Sequence, residues 1–185
     1  MRIIGGELKG HRLNSLDGKG IRPSADRLRE SLFNLLGQTM EGETVLDGYA
    51  GTGAFGIEAI SRGADFCCLV DQSPYAISLI QTNLDHCRIP AHQYQIVHTD
   101  FIQFITSTDL QFDTIFIDPP YRDYDRMPIL TVILDCKRHL RSKGRIIFEH
   151  PVALSLSRND LSSKFSMTSR KSGQSMITIL QSEIK

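Results

Sequence analysis

The chain has 185 residues, of which 41% are hydrophobic and 23% are charged, the proportions of an ordinary globular domain. This length predicts one domain with a sizeable core, and no apolar run reaches the roughly 18 residues that a membrane span requires. Because the amino terminus lacks the apolar segment of a secretory signal, we expect a cytoplasmic protein. The four cysteines show no metal-binding or disulfide spacing, so no metal site is predicted.

Charge is segregated along the chain, although the net charge is zero. Residues 1–29 carry seven Lys and Arg against three acids, residues 137–185 carry ten against three, and residues 30–136 carry four against fifteen. Two basic segments that flank an acidic centre are typical of a protein that binds a nucleic acid. An ordinary solvated surface is the alternative interpretation, above all for the carboxyl-terminal segment.

The apolar pattern predicts an amino-terminal segment followed by alternating strands and helices. Glycines break residues 1–22 into short extended pieces, and a helix is predicted over 25–37, with Ser24 as its N-cap. The predicted strands that follow are 43–47, 65–71, 94–100, 113–118 and 144–150, then a hairpin of 164–171 and 175–181 around Gly173. The predicted helices between them are 54–62, 74–87 (capped by Ser73), 101–106 and 127–140. This alternation predicts an α/β fold, a doubly wound, Rossmann-like sheet of seven strands with the last one antiparallel.

Residues 46–59, LDGYAGTGAFGIEA, contain a glycine-rich turn between the first strand and the next helix. Residues 51–56 form a G-x-G-x-x-G pattern, and Asp71 follows Gly51 by twenty residues, as in dinucleotide-binding folds. An NAD-dependent oxidoreductase is therefore one candidate. Asp47, however, stands between the strand and the glycines, where a carboxylate would repel a pyrophosphate. S-adenosylmethionine, which has a cationic end and no phosphate, suits this loop better.

Acidic residues follow four successive predicted strands, and the ligand of such a sheet binds beyond the carboxyl ends of its strands. Asp71 would accept hydrogen bonds from ribose hydroxyls, and Asp100 would accept one from the adenine amino group. The residues that we expect to contact the cofactor are Asp47, Ala50, Gly51, Gly53, Asp71, Gln72, Asp100, Phe101 and Asp118.

Residues 118–121, Asp-Pro-Pro-Tyr, end the fourth predicted strand and begin the loop after it. Two prolines cannot continue a central strand, and each fixes φ, so the segment is stiff. The Asp118 carboxylate and the Pro119 carbonyl can accept both N–H bonds of an exocyclic amine, and Tyr121 can stack on its base. These contacts favour a pyramidal nitrogen whose lone pair points at a sulfonium methyl. Asp118, Pro119, Pro120 and Tyr121 are therefore the predicted catalytic residues, with an ordinary Asp-Pro turn as the alternative.

Two motifs, Asp47-x-x-Ala50-Gly51-Thr52-Gly53 and Asp118-Pro119-Pro120-Tyr121, resemble the cofactor and catalytic motifs of class I, amino-directed methyltransferases. The stretches MRIIGGELKGHRL and IRPSADRLRESLFNLL resemble one bacterial family among them, the RsmD-type 16S ribosomal RNA guanine-N2 methyltransferases. The resemblance extends from Met1 to about Gly144 and is less clear beyond it.

This resemblance implies a class I methyltransferase fold, S-adenosylmethionine as cofactor, and methyl transfer to N2 of one guanine in 16S ribosomal RNA. It implies a substrate within an assembled or partly assembled small ribosomal subunit and no membrane partner, and we expect a monomer. Residues 1–37 would form an RNA-facing extension, and residues 38–185 would form the methyltransferase domain. The arginines expected to meet RNA are Arg2, Arg12, Arg22, Arg27 and Arg29.

Three other interpretations stay open at this point. Another amino-directed methyltransferase, acting on adenine or on a protein glutamine, would share the loop at Asp118. DNA enzymes of this kind usually carry a further recognition domain, and glutamine-directed enzymes begin the loop with asparagine. An NAD-dependent oxidoreductase would be stabilised by NAD and not by S-adenosylmethionine in a thermal-shift measurement. A non-catalytic RNA-binding protein would keep the fold alone, which the complete catalytic motif disfavours.

Overall fold

The computed structural model describes residues 1–15, 23–120, 124, 127–154, 161, 164–173 and 175–182, without the side chains of residues 23–27 and 172. Its helices are α1 (Pro23–Leu35), α2 (Ala54–Ser61), α3 (Pro74–His86), α4 (Phe101–Ser107) and α5 (Ile129–Arg138), with a 3₁₀ turn at Ala91–Gln93. Its strands are β1 (Thr44–Gly48), β2 (Phe66–Asp71), β3 (Tyr94–His98), β4 (Phe112–Ile117), β5 (Leu140–Pro151), β6 (Phe165–Ser172) and β7 (Ser175–Ser182). Within these ranges, no helix has the length and apolar character needed to span a membrane.

The strands form a mixed sheet in the order β3-β2-β1-β4-β5-β7-β6. Strands β1, β2 and β3 pair in parallel, and so do β4 and β5, whereas β7 is antiparallel to both β5 and β6. The prediction of a seven-stranded α/β sheet with an antiparallel last strand is confirmed.

Several element bounds differ from the sequence prediction, and two of these differences have a clear local reason. Helix α1 begins at Pro23, whose fixed φ and missing N–H suit a first helical position, so Ser24 lies inside the helix and is not its N-cap. Strand β5 begins at Leu140, which pairs with Phe112 across an irregularity in the β4–β5 register. The predicted cap at Ser73 is confirmed, because its side chain accepts a hydrogen bond from the Ala76 amide.

The chain divides into two compact units, Met1–Phe101 and Ile102–Lys185. In the first unit the buried strands β1 and β2 form the centre of the core, and the amino-terminal residues fold into a small antiparallel ribbon. Hydrogen bonds from the Ile3 amide to the His11 carbonyl and from the Leu13 amide to the Met1 carbonyl, each 2.9 Å, hold this ribbon together. We call residues 1–13 the N-terminal ribbon.

The second unit contains β4, β5, α5 and the β6–β7 hairpin. Its core is formed by apolar side chains from the strands and from α5, including Phe112, Phe148 and Ile133, all fully buried. The hairpin turns at Gly173, whose φ of 62° lies in the left-handed region that glycine adopts without strain. The predicted domain boundary at residue 37 stays a prediction.

Candidate functional site

The glycine-rich turn after β1 has an unusual backbone conformation. Tyr49, Gly51 and Gly53 have φ angles of 61°, 56° and 74°, all in the left-handed region. A bulky residue such as Tyr49 rarely adopts this conformation, and its ring packs 5.0 Å from that of Phe101. The turn is closed by the Ala50 amide, which donates to the Val70 carbonyl at 2.9 Å, and by the Gly53 amide, which donates to the Ala50 carbonyl at 2.7 Å.

Asp71, the last residue of β2, is half-buried beside this turn. One carboxylate oxygen accepts a hydrogen bond from the Gly51 amide and the other accepts one from the Ser73 amide, both at 2.8 Å. A carboxylate has about four acceptor positions, so Asp71 can hold the turn and still accept bonds from a pair of hydroxyls. This geometry is compatible with a ribose, and the ribose contact of Asp71 stays a prediction.

The remaining predicted cofactor residues after β2 and β3 differ in their accessibility. Gln72 is exposed, and Asp100 is half-buried directly before α4. Phe101 is 2% exposed, and its ring packs against that of Tyr49. Ala50 and Gly53 are buried, whereas Gly51 is half-buried.

Asp47 lies deeper than the sequence suggested. It is 2% exposed, and its Oδ2 accepts a hydrogen bond from the Gly56 amide at 2.8 Å. Burial raises the pKa of Asp47 to about 7, partly opposed by that hydrogen bond and increased further by the charge of Asp71. This carboxylate therefore faces the first turn of α2, and its expected contact with the cationic end of a cofactor stays a prediction.

Gly56 packs helix α2 closely against β2. A Cβ atom at this position would lie 2.7 Å from the Cys67 sulfur and 2.9 Å from a Leu69 methyl, closer than real Cβ atoms approach. The third glycine of the G-x-G-x-x-G pattern is thus a packing residue.

The raised pKa of Asp47 predicts a pH-dependent effect of Asp47→Asn on stability. Between pH 3.8 and about 7, Asp47 holds a proton in the folded protein but has lost it in the unfolded chain. The free energy of unfolding therefore falls as pH rises through this window. Asparagine cannot ionise and keeps an oxygen for the Gly56 amide. We expect the variant to be more stable than wild type by up to about 4 kcal/mol above pH 7, with the gain vanishing near pH 4. Urea unfolding at several pH values measures this difference.

The matched control for that series is Asp65→Asn, which changes an exposed acid in the same unit. Because Asp65 is exposed, the stability of this variant should differ from wild type by less than about 0.5 kcal/mol. A difference for Asp47→Asn that does not grow with pH would contradict the assignment of a proton to the buried carboxyl.

The predicted catalytic segment directly follows the buried end of β4. Asp118 is exposed, Pro119 is buried and Pro120 is exposed, while Tyr121 lies outside the described residues. Beyond the segment, the Tyr124 hydroxyl donates a hydrogen bond to the Glu149 carbonyl. The centroid of the Tyr124 ring also lies 5.7 Å from that of Phe148, so Tyr124 is attached to β5. Sequence reasoning missed Tyr124, for which the signal was a second aromatic residue shortly after Tyr121.

The predicted RNA-binding arginines separate into two groups. Arg2 and Arg12 are exposed and pair across the N-terminal ribbon, whereas Arg29 is 2% exposed. The Arg29 Nε lies 3.4 Å from Glu58 Oε2, and its Nη2 donates to the Arg2 carbonyl at 2.5 Å. Arg29 is thus buried beside its counterion Glu58 and does not lie at the surface, and its expected contact with RNA stays a prediction. Arg22 and the side chain of Arg27 lie outside the described residues.

Glu58 in α2 is the main residue of the first unit that sequence reasoning missed. Its side chain is fully buried and accepts hydrogen bonds at 2.8 Å from the Ile4 amide, the Gly5 amide and Arg62 Nε. It thereby joins the N-terminal ribbon to the helix that begins at the glycine turn. The signal in the sequence was one acid inside the apolar helix AFGIEAIS.

The strand order, the glycine turn after β1 and the acid that ends β2 together define a class I methyltransferase fold. The cofactor of this class is S-adenosylmethionine. A profile of the family described as "Conserved hypothetical protein 95" matches residues 1–181, and the chain belongs to that family.

Several named proteins are similar to this chain. "Putative rRNA methyltransferase YlbH" of Bacillus subtilis is 36% identical over 153 residues, which are 81% of this chain and 82% of that protein. "Ribosomal RNA small subunit methyltransferase D" of Escherichia coli is 34% identical over 122 residues, 66% of this chain and 61% of that protein. The solved structure named "Putative methyltransferase yhhF from Escherichia coli" has a TM-score of 0.83 at 28% identity, covering 100% of this chain and 99% of that one. The resemblance to the RsmD-type family is confirmed.

Proposed function

We propose that this protein transfers a methyl group from S-adenosylmethionine to the exocyclic N2 amine of one guanine in 16S ribosomal RNA. The observation that carries the proposal is the segment at Asp118, an exposed carboxylate followed by a buried proline directly after a buried strand. It occurs in a chain whose relatives are named ribosomal RNA methyltransferases. The proposal includes an assembled or partly assembled small subunit as substrate, a cytoplasmic location and a monomeric enzyme.

The first unit offers groups that suit S-adenosylmethionine. The free acceptor positions of Asp71 would bind the ribose hydroxyls, and Gly51 in its left-handed conformation would let the cofactor approach the backbone. Gln72 and Asp100 would contact the adenine. When bound, S-adenosylmethionine supplies an electrophilic methyl group on a sulfonium.

The second unit would prepare the nitrogen that receives the methyl group. The lone pair of an exocyclic guanine amine is delocalised into the ring, so the amine is a poor nucleophile. Hydrogen bonds from its two N–H groups to the Asp118 carboxylate and the Pro119 carbonyl favour a pyramidal nitrogen and localise the lone pair. Methylation leaves the nitrogen cationic, and it must then lose one proton. The carboxylate of Asp118, being exposed, can accept that proton and release it to water.

The N-terminal ribbon would contact the RNA backbone through its exposed cations, Arg2 and Arg12. Arg29 would contribute to RNA binding indirectly, because its guanidinium donates a hydrogen bond to the Arg2 carbonyl and so helps to hold the ribbon in place. Arg22 and Arg27 remain proposed RNA contacts on the strength of the sequence resemblance.

Methyl transfer to unmodified small subunits tests the proposal. The protein is incubated with labelled S-adenosylmethionine and subunits from cells that lack this methyltransferase, and the product is mapped by nuclease digestion and mass spectrometry. We expect the label on N2 of one guanine in 16S ribosomal RNA. Label on an adenine would favour the other amino-directed methyltransferases, and label on ribosomal protein or on no component would contradict the proposal.

A further inference from the structure

The β6–β7 hairpin gives the second unit a basic edge. Strand β6 lies at the end of the sheet order, and its exposed residues are Ser166, Thr168, Ser169, Arg170 and Lys171. Residues 164–182 contain three cations and no acid. A polyanion would therefore meet no carboxylate along this hairpin.

The strand register places one of these cations level with the predicted catalytic segment. The last pair between β4 and β5 is Ile117 with Phe148, so Asp118 begins the next row across the sheet. On β5 that row continues with Glu149, which pairs with Ile177 of β7. Ile177 in turn pairs with Arg170 of β6. Asp118 and Arg170 thus end the same row of this unit, three strand spacings or about 14 Å apart.

Lys171 lies one row further than Arg170, beyond the carboxyl end of β4. Lys164, in contrast, directly precedes the other end of β6. Arg170 follows Lys164 by six positions, about 20 Å of extended chain. Because β6 runs parallel to β5, Lys164 lies at the amino ends of these strands, away from the segment at Asp118. Arg170 and Lys171 at one end of β6 are therefore nearer to Asp118 than Lys164 at the other end.

We propose that Arg170 and Lys171 bind phosphates of the ribosomal RNA that flank the target nucleotide. This inference rests on the proposed function, since it needs an RNA base held at Asp118. Cationic side chains that bind phosphates fix the position of a nucleic acid without reading its sequence. The roughly 14 Å between Asp118 and Arg170 is a distance that the nucleotides next to a base at Asp118 can span. Charges on an edge strand also hinder edge-to-edge aggregation, but that role would not depend on which end of β6 carries them.

The test compares the double variant Arg170→Ala/Lys171→Ala with Lys164→Ala. Methyl transfer to unmodified small subunits is measured as a function of subunit and salt concentration. We expect the double variant to raise KM for subunits about tenfold with kcat little changed, and to lower the slope of log affinity against log salt by about 1.5. Lys164→Ala should change KM less than about twofold. The exchange Arg170→Lys/Lys171→Arg, which keeps both charges, should restore most of the affinity.

Two outcomes would overturn the inference. An unchanged KM and salt slope in the double variant would show that these cations serve the edge alone, and gel filtration would then reveal aggregation. An equal effect of Lys164→Ala would show that only total charge matters. Failure of the proposed function is distinguishable from failure of this inference. In the first case the wild-type protein methylates no ribosomal RNA. Filter binding still measures the affinity of wild type and variants for subunits in that case.

Discussion

Replacing Asp118 with alanine is expected to lower kcat for methyl transfer by about a hundredfold to a thousandfold, the usual effect of removing one group that stabilises a transition state. The exposed carboxylate directly after β4 is the proposed acceptor for the reacting amine, and Pro119 would then provide the remaining acceptor alone. We expect the Kd for S-adenosylmethionine to stay within about twofold of wild type, because the groups proposed to hold the cofactor are unchanged. Single-turnover methylation measures the first effect and calorimetry measures the second.

Two further variants sharpen the Asp118 experiment. Asp118→Asn keeps one oxygen acceptor and loses the charge, so we expect a smaller loss of kcat than with alanine. Asp109→Ala removes another exposed acid of the same unit and should leave both measurements near wild type. Equal losses of methyl transfer and cofactor affinity in Asp118→Ala would instead assign the carboxylate to cofactor binding, a role that the sequence also allowed.

The sequence predicted the order and type of the elements because the signals for them are local. Alternating strands and helices, the glycine turn after β1 and the Gly173 hairpin each follow from residues close together in the chain. The position of Asp71 at the end of β2 was predictable for the same reason, and its two backbone hydrogen bonds agree with that placement.

Arg29 and Asp47 show why the site could not be predicted completely. The charge of Arg29 favoured an exposed position, but three- and four-residue spacing places it on one helix face with Leu32 and Phe33, which are both buried. The partner that buries it, Glu58, is 29 positions further along the chain, and no local pattern joins the two. For Asp47 the sequence identified the strand end, but burial and the bond to Gly56 depend on how α2 packs.

Helix α2 is the element of the first unit that connects the glycine turn to the N-terminal ribbon. Near its start, Gly56 donates to Asp47 at the end of β1. Two residues later, Glu58 accepts from the ribbon amides of Ile4 and Gly5. The proposed RNA contacts and the cofactor turn are therefore attached to the same eight-residue helix.

Glu58→Ala is expected to reduce the free energy of unfolding by about 3–5 kcal/mol, as when one partner of a buried ion pair is removed. The substitution leaves the Arg29 guanidinium buried without this carboxylate and removes the acceptor for two ribbon amides. Urea unfolding followed by circular dichroism measures the loss. Glu30→Ala, which removes an exposed acid from α1, is the matched control and should change stability by less than about 0.5 kcal/mol.

Glu58→Gln separates the positioning of the ribbon from the stability of the fold. Glutamine keeps the side-chain shape and one carbonyl acceptor, so this variant should remain folded while the ribbon is held by fewer hydrogen bonds. Native-state hydrogen exchange should show faster exchange at the Ile4 and Gly5 amides, which donate to Glu58 in the wild type. Because the ribbon carries Arg2 and Arg12, KM for small subunits should rise while the Kd for S-adenosylmethionine stays constant. Unchanged exchange at both amides, together with unchanged stability in Glu58→Ala, would refute the anchoring role of Glu58.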